Sequence, residues 1–298
     1  MKIFYDEKMS AKTNSFSPSS EKPRKLAERA KPFHKYFQFE KVIPLAWEDF
    51  LLSHSEEYVY GIKNLSQTNG FWNTDKAIRD TLPYTSGSLF SAAKEALASK
   101  IAWAFCSGFH HAHKDSGGGF CTFDGLTVSA KKLLNENKVQ NVFILDGDAH
   151  FGDGTSANIT GEWREKISYR HTGGSFFTKN KLKKWLLQNR PGIIFFQDGM
   201  DSYRFDPIGG GLTYKQLYER CHIVCETARE MNIPLVINLA GGYLRVKQAD
   251  KIDELEPVLL GHMNSLFTSV GVYETPEAFE LVDLSEKFWE KSKIHKAC

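Results

Sequence analysis

The chain of 298 residues has no long hydrophobic run, no excess of charge and few cysteines. No stretch approaches the roughly 20 apolar residues of a membrane helix, and the N-terminal MKIFYDEK becomes charged too early for a signal peptide. The 38 basic and 36 acidic residues leave a net charge of +2, which argues against a nucleic-acid or membrane surface. Five cysteines form no disulfide framework in a chain of this length, and Cys221 and Cys225, one helical turn apart, are expected to be packed thiols. We therefore expect a reduced, intracellular protein, cytoplasmic or nuclear.

The apolar residues are arranged as buried strands that alternate with helices. They make up 41% of the chain, enough for one large core, and we predict a single domain spanning 1–298. Short apolar runs without alternation predict strands at MKIFYD, 101–108, 141–148, 166–171, 192–199 and 234–242. Apolar positions three and four apart predict helices at 88–100, 124–137, 178–189, 213–231 and 276–292. The pattern predicts an α/β protein with a doubly wound, mostly parallel sheet flanked by helices.

Polar, glycine-containing segments follow four of these predicted strands. They are FHHAHKDSGGGFC, DGDAHFGDG, DGMDSYRFDPIGGG and AGGYLRV. In a doubly wound sheet, ligands bind beyond the carboxyl ends of the strands, where glycines let the backbone approach closely. The four segments therefore predict one functional site.

Three side chains in these segments have the composition of a metal site. Asp148 and His150 are two residues apart, so on an extended segment both point to the same side. Asp201 is the best third ligand, and three protein ligands with an open position are typical of catalytic zinc. A single such aspartate would more often cap a helix. The three together at neighbouring strand ends favour a metal ion.

In their order and spacing, the four segments resemble the zinc-dependent histone deacetylase family of the arginase–deacetylase fold. The resemblance runs from about Pro23 to about Arg245 and is strongest to compact bacterial and class IV-like members. It implies one zinc ion bound by Asp148, His150 and Asp201. It also implies five catalytic residues, in which Asp146 pairs with His110, Asp153 pairs with the general base and acid His111, and Tyr243 stabilises the oxyanion. Tandem histidines on a glycine-rich loop are themselves unusual and point to proton transfer.

The resemblance further implies a narrow tunnel for an acylated lysine. Phe120, with the backbone of Gly119, would form one wall of the tunnel and Phe177 the other, although the Pro-Gly sequence expected after Phe177 is replaced by TKNK. The missing segment indicates an open entrance that could admit longer acyl chains. A potassium ion held by Asp146, Asp148 and the region of Ser168 is a further family feature that the sequence matches in part.

Other functions remain open at this stage. An arginase-like site with two manganese ions would need more carboxylates, whereas this chain has Asp198 and Asp201 three apart and Gly152 where a carboxylate would help, so one zinc is favoured. The expected partner is an acylated lysine peptide or protein. Alternatives are the same chemistry on a small N-acyl amine such as an acetylpolyamine, or a thioester- or arginase-like hydrolase. A binding module without activity is disfavoured because every catalytic position is filled.

Overall fold

The computed structural model describes residues 1–13, 15, 17–245 and 255–273, so the helix predicted at 276–292 lies outside the described residues. These residues form a sheet of seven strands in the order β2-β1-β3-β7-β6-β4-β5, and every neighbouring pair is parallel. The strands are β1 (Lys2–Phe4), β2 (Gln38–Glu40), β3 (Ile101–Ala104), β4 (Val142–Asp146), β5 (Ile167–His171), β6 (Ile193–Gln197) and β7 (Leu235–Asn238). The predicted parallel α/β sheet is confirmed.

Nine α-helices flank the sheet within the described residues. They are α1 (Lys22–Ala30), α2 (Glu56–Lys63), α3 (Lys76–Ser99), α4 (Gly125–Asn135), α5 (Asp153–Asn158), α6 (Trp163–Lys166), α7 (Lys179–Asn189), α8 (Tyr214–Glu230) and α9 (Glu256–Tyr273). The four central strands β3, β7, β6 and β4 are buried at every position, as their apolar sequences predict. Cys221 and Cys225 are packed in α8 as free thiols with their Sγ atoms 4.0 Å apart. No helix within the described ranges is both long and apolar enough to traverse a bilayer.

Helix α3 begins twelve residues before the predicted helix at 88–100. The side chain of Asp75 caps its first turn by accepting from the backbone N–H of Ala77. Pro83 and Gly87, which interrupt the helical pattern in the sequence, are both accommodated by packing. The carbonyl of Pro83 accepts from the N–H of Leu45, and a Cβ on Gly87 would stand 2.4 Å from the carbonyl oxygen of Ile43. Tertiary contacts therefore extend this helix beyond its local sequence signals.

The sheet order decides where the functional loops meet. Strands β3, β7, β6 and β4 are consecutive neighbours, and each is followed by one of the four polar segments. Since the strands are parallel, all four segments leave the sheet at the same end, which we call the carboxyl edge. The predicted site residues on these segments are thus brought to one place.

Candidate active site

Three side chains at the carboxyl edge form a metal-ligand cluster. Ligand atoms of Asp148, His150 and Asp201 all lie within 4.8 Å of one another. The Nδ1 atom of His150 is 3.2 Å from Oδ1 of Asp148 and 3.0 Å from Oδ2 of Asp201. One imidazole nitrogen and two carboxylates facing a common point form a donor set that suits Zn²⁺ and leaves a coordination position for water or substrate.

The electrostatics of this cluster fit a divalent cation. Asp148 and Asp201 are buried, and burial together with the charge of Asp148 raises the pKa of Asp201 to about 8. Hydrogen bonds to both carboxylates raise the pKa of His150 to about 10. Two carboxylates buried this close are costly unless positive charge lies between them. A cation bound by all three side chains would supply that charge.

The backbone around the cluster holds the two carboxylates in place. The N–H of Gly241 donates to Oδ2 of Asp148 at 2.8 Å, and the N–H of Ala149 donates to Oδ1 of Asp201 at 3.1 Å. A Cβ on Gly241 would stand 2.5 Å from Oδ2 of Asp201 and 2.6 Å from Oδ2 of Asp148. Only glycine lets the β7 loop approach the carboxylates this closely.

His110 is buried and paired with Asp146, as the resemblance implies. Its Nδ1 is 2.8 Å from Oδ2 of Asp146, and its Nε2 is 3.7 Å from Oδ1 of Asp148. Burial acts to lower the pKa of His110, but the charges of Asp148 and Asp146 outweigh it and raise the pKa to about 9. Tyr169 and Gln197 complete the setting of Asp146 by donating to its carboxylate at 2.7 and 3.1 Å.

His111 is paired with Asp153, but its environment differs from that of His110. Its Nδ1 lies 2.7 Å from Oδ1 of Asp153, and Nε2 of His113 lies 3.1 Å from the other oxygen of the same carboxylate. Burial and the positive charge of His110 lower the pKa of His111 despite the aspartate. A neutral imidazole whose Nδ1 donates to a carboxylate leaves Nε2 free to accept a proton. His111 is therefore suited to act as a base.

Tyr243 lies beside the predicted tunnel wall. Its ring centroid is 5.9 Å from that of Phe120, and its backbone N–H donates to Oδ2 of Asp206 at 2.7 Å. Burial and the charges of Asp148 and Asp201 raise the pKa of Tyr243 well above its usual value. Its hydroxyl therefore stays protonated near the metal-ligand cluster and is able to donate a hydrogen bond.

Gly119 brings the backbone against the imidazole of His111. It has a φ of +52°, and a Cβ there would stand 2.5 Å from Cδ2 of His111. This close contact requires glycine. Gly119 and Phe120 thus lie between the histidine pair and Tyr243, where the resemblance puts the substrate.

A buried ion pair connects the two loops that carry the candidate metal ligands. Arg220 of α8 donates through Nη1 to the carbonyl of Gly147 at 2.5 Å, and through Nη2 to Asp198 and to the carbonyl of Gly199, both at 2.9 Å. Both charged side chains are fully buried. Asp198, which an arginase-like site would use for a second metal, is therefore engaged by an arginine.

Two other residues near the cluster could not be predicted from the sequence. Lys22 of α1 and Ser107 both donate to the carbonyl of Ala240, the residue before Gly241, at 2.5 and 2.7 Å. Lys22 is fully buried, and its burial lowers its pKa to about 8. Like Arg220 and Tyr169, it comes from a segment without the motif residues, so only the tertiary structure reveals its position.

Two predicted positions need correction. Phe177 does not line a tunnel: it is 3% exposed and packs in the main core, with its ring 5.8 Å from that of Trp185 in α7. Ser168 does not lie beside a potassium site of the predicted kind, because the β4–β5 register pairs it with Phe143, whereas Asp146 pairs with His171. Three residues along a strand separate Ser168 from the carboxyl edge by about 10 Å, and its hydroxyl donates to Asn189.

The family model of the histone deacetylase domain matches residues 20–177, more than half of this chain. The chain belongs to the histone deacetylase family. Histone deacetylase B of Dictyostelium discoideum is 29% identical over 262 residues, covering 70% of this chain and 61% of that protein. Histone deacetylase 2 of Arabidopsis thaliana is 24% identical over 257 residues, covering 70% and 64%. The match thus spans less than two thirds of the length of these relatives.

Bacterial relatives and a solved structure extend the comparison. The acetoin utilization protein AcuC of Staphylococcus aureus is 26% identical over 183 residues, covering 56% of this chain and 42% of AcuC. The crystal structure of the HDA15 HD domain superposes with a TM-score of 0.67 at 13% identity, covering 98% of this chain and 99% of that one. At this identity the structural likeness establishes a shared fold.

Proposed function

We propose that this protein is a zinc-dependent amidohydrolase that removes an acyl group from the side chain of N-acyl-lysine in proteins. The observation that carries the proposal is the convergence at one edge of the Asp148–His150–Asp201 cluster, the His111–Asp153 pair and Tyr243. Family membership and the names of the two histone deacetylase relatives support a deacylase. Each group has a distinct part in hydrolysing an amide.

The metal would be held by Asp148, His150 and Asp201. Zinc in such a site polarises a carbonyl and lowers the pKa of water to about 7. His111 removes the proton from the attacking water through Nε2, because its Nδ1 is held by Asp153 and its lowered pKa keeps it neutral. The same nitrogen then delivers the proton to the leaving amine of lysine.

Tyr243 and His110 stabilise the charge that develops during this reaction. The hydroxyl of Tyr243 remains protonated and donates a hydrogen bond to the carbonyl oxygen as it becomes an oxyanion. His110 is held cationic by Asp146 and Asp148, and it favours negative charge in its vicinity. Phe120 bounds the acyl-lysine chain on the side of Tyr243.

The test is hydrolysis of acyl-lysine peptides of increasing acyl length, measured beside acetylpolyamines with the zinc-loaded protein. We expect turnover of the peptides, with loss of activity on chelation and recovery with zinc. Preference for the polyamines would reassign the substrate to small N-acyl amines, and peptide binding without any turnover would indicate a binding module.

Substitution of Tyr243 tests the reaction class. Tyr243→Phe should lower kcat by roughly 10²–10³ with a much smaller change in KM, because the hydroxyl acts in the transition state. Tyr203→Phe is the matched control, since Tyr203 is also buried but packs against Tyr214 with ring centroids 4.2 Å apart. Near-normal turnover by Tyr243→Phe would remove the oxyanion donor from this mechanism.

A further inference from the structure

Four strained backbone positions surround the site. Nine non-glycine residues in the described part of the chain have positive φ. Five of them lie within two residues after a helix, where left-handed backbone commonly ends helices: Leu65, Lys100, Asn137, Arg190 and Asn232. The other four border the site instead: Trp72, Phe109, Phe120 and Ala240. Left-handed backbone outside helix ends is costly for bulky residues and is concentrated at functional positions.

Trp72 is unusual among these four because its side chain is exposed. It has a φ of +58°, and 63% of the residue is accessible to solvent. A strained backbone that buried the indole in the core would be explained by packing. Here the strain presents a large apolar ring to solvent.

The loop that carries Trp72 (residues 69–73) is held rigidly. Asn69 and Asn73 bond to each other through both backbone and side chain, and the side chain of Asn69 also accepts from the N–H of Phe71. The N–H of Trp72 donates to the carbonyl of Asn69 at 2.9 Å. The left-handed conformation of Trp72 is therefore imposed by the loop.

This loop is docked on the segment that forms the proposed tunnel wall. The N–H of Phe120 donates to the carbonyl of Gly70 at 2.9 Å, and a Cβ on Gly70 would stand 2.2 Å from the carbonyl oxygen of Cys121. The indole of Trp72 lies edge-on to Phe120, with ring centroids 5.4 Å apart. Phe120 in turn contacts Tyr243, so Trp72 is one aromatic ring away from the reacting groups.

We propose that Trp72 is a specificity-determining residue that binds an apolar or aromatic side chain next to the acylated lysine. The inference rests on the proposed function. A substrate whose acyl-lysine enters between Phe120 and Tyr243 leaves its neighbouring residues outside, where the indole is exposed. The rigid loop presents the indole in a fixed orientation, so little side-chain entropy is lost when the substrate binds.

The surroundings favour an apolar partner over a cationic one. The Trp72 loop, NGFWN, contains no charged residue, and Phe71 packs beside Phe120 with ring centroids 5.5 Å apart. Two other loops at the carboxyl edge also expose apolar side chains, Phe151 at 54% and Ile208 at 42%. A cationic flanking residue could contact the face of an indole, but this loop offers no carboxylate to attract it.

The experiment compares acetyl-lysine peptides with phenylalanine, glycine or arginine beside the acetyl-lysine. Wild-type protein should favour the phenylalanine peptide, and Trp72→Gly should lower kcat/KM for it by about tenfold, the loss expected for one aromatic contact. The glycine peptide should be affected much less. Trp72→Gly should also retain or raise Tm, because glycine adopts positive φ without strain. Leu187→Ala, which removes another exposed apolar side chain, is the matched control.

Several results would overturn the inference. If Trp72→Gly leaves the ranking of the three peptides unchanged, Trp72 does not set specificity. If the arginine peptide suffers the selective loss, the partner is cationic. If the wild-type protein hydrolyses none of the peptides, the proposed function fails. Calorimetric binding of the same peptides to both proteins then still decides whether Trp72 selects the flanking residue.

Discussion

At the scale of single residues, the adjacent histidines show how position determines role. His110 is buried with its Nε2 3.7 Å from Asp148, and the surrounding carboxylates raise its pKa to about 9. For His111, burial and the charge of His110 dominate and lower the pKa. One remains cationic while its neighbour remains able to accept a proton.

We predict that His111→Ala reduces kcat by roughly 10²–10⁴ while zinc content stays the same, because a general base acts on water without binding the metal. His113→Ala is a close control. His113 contacts the same carboxylate of Asp153, but its side chain is 42% exposed. Its loss should change kcat only several-fold. Zinc loss in His111→Ala, measured by metal analysis of the purified protein, would mean that His111 is a ligand.

The sequence singles out the candidate site residues whose chemistry is unusual for their location. Carboxylates and histidines directly after buried strands are conspicuous, so Asp148, His150 and Asp201 could be predicted. Tyr169, Asp206 and Arg220 could not, because a tyrosine in a strand or an arginine in an amphipathic helix has many ordinary explanations. Phe177 was misassigned because the local sequence does not show which face of the segment is buried.

At the scale of elements, His54 hydrogen-bonds to two parts of the long segment that follows β3. Its Nδ1 donates to the carbonyl of His113 at 2.8 Å, and its Nε2 accepts from the N–H of Asp124 at 2.9 Å. Asp124 caps α4, so a single imidazole ties the histidine-bearing loop to the start of that helix. Both nitrogens are used in the neutral form. Protonation would place a donor opposite the N–H of Asp124.

This contact predicts a loss of stability in acid. Burial lowers the pKa of His54 from 6.5 to about 4. Between these values the unfolded chain binds a proton at His54 that the folded protein does not bind. The stability that neutral His54 contributes is therefore lost as pH falls from about 6.5 to 4. The loss is on the order of 3 kcal/mol. In urea unfolding across this range, the unfolding free energy of His54→Gln should depend less steeply on pH than that of the wild type. His34 is exposed, so the unfolding free energy of His34→Gln should follow the wild type. Equal slopes in all three proteins would refute the assignment.

Arg220 of helix α8 bonds to both loops that carry the proposed metal ligands. We predict that Arg220→Met lowers the unfolding free energy by about 3–5 kcal/mol, because it leaves the carboxyl group of Asp198 buried without its cationic partner. It should also weaken zinc binding by about 10–100-fold, because the loops that carry the proposed ligands lose the arginine that bonds to them. Adding Asp198→Leu should recover stability but leave zinc affinity reduced, because the bonds to Gly147 and Gly199 stay absent. Recovery of both quantities, measured by urea unfolding and zinc titration, would show that Arg220 acts only through its ion pair.

The elements differ in how far their sequences predict them. Strands β3, β4, β6 and β7 are continuous apolar runs, and they were predicted because burial on both faces leaves that pattern. Strand β2 and helices α1 and α2 are short and were missed. Helix α9 was also missed. It is buried along most of its length, so it lacks the apolar and polar faces that mark a surface helix.

At the scale of the whole molecule, the sheet order joins parts of the chain that are distant in sequence. The proposed metal ligands come from the loops after β4 and β6, and Gly241 after β7 lies against both carboxylates. His110 and His111, the proposed proton-transfer groups, come from the loop after β3. These four strands are adjacent in the sheet although they lie about 140 residues apart in the chain at the extremes. The site therefore exists only when the sheet is complete.

Metal binding should consequently stabilise the whole fold. We predict about one zinc per chain and an unfolding free energy that rises by about 2.7 kcal/mol when free zinc is 100-fold above its Kd. Asp201→Asn should lose this stabilisation by zinc. Without metal it should be at least as stable as the wild type, because the amide replaces a carboxyl group whose charged form is destabilised by burial and by the charge of Asp148, and with zinc it should gain little. Calorimetry of both proteins with chelator and with zinc measures all four states. A second zinc per chain, or a wild-type protein whose Tm ignores zinc, would contradict a single Asp148–His150–Asp201 centre, since Asp198 is already bound by Arg220.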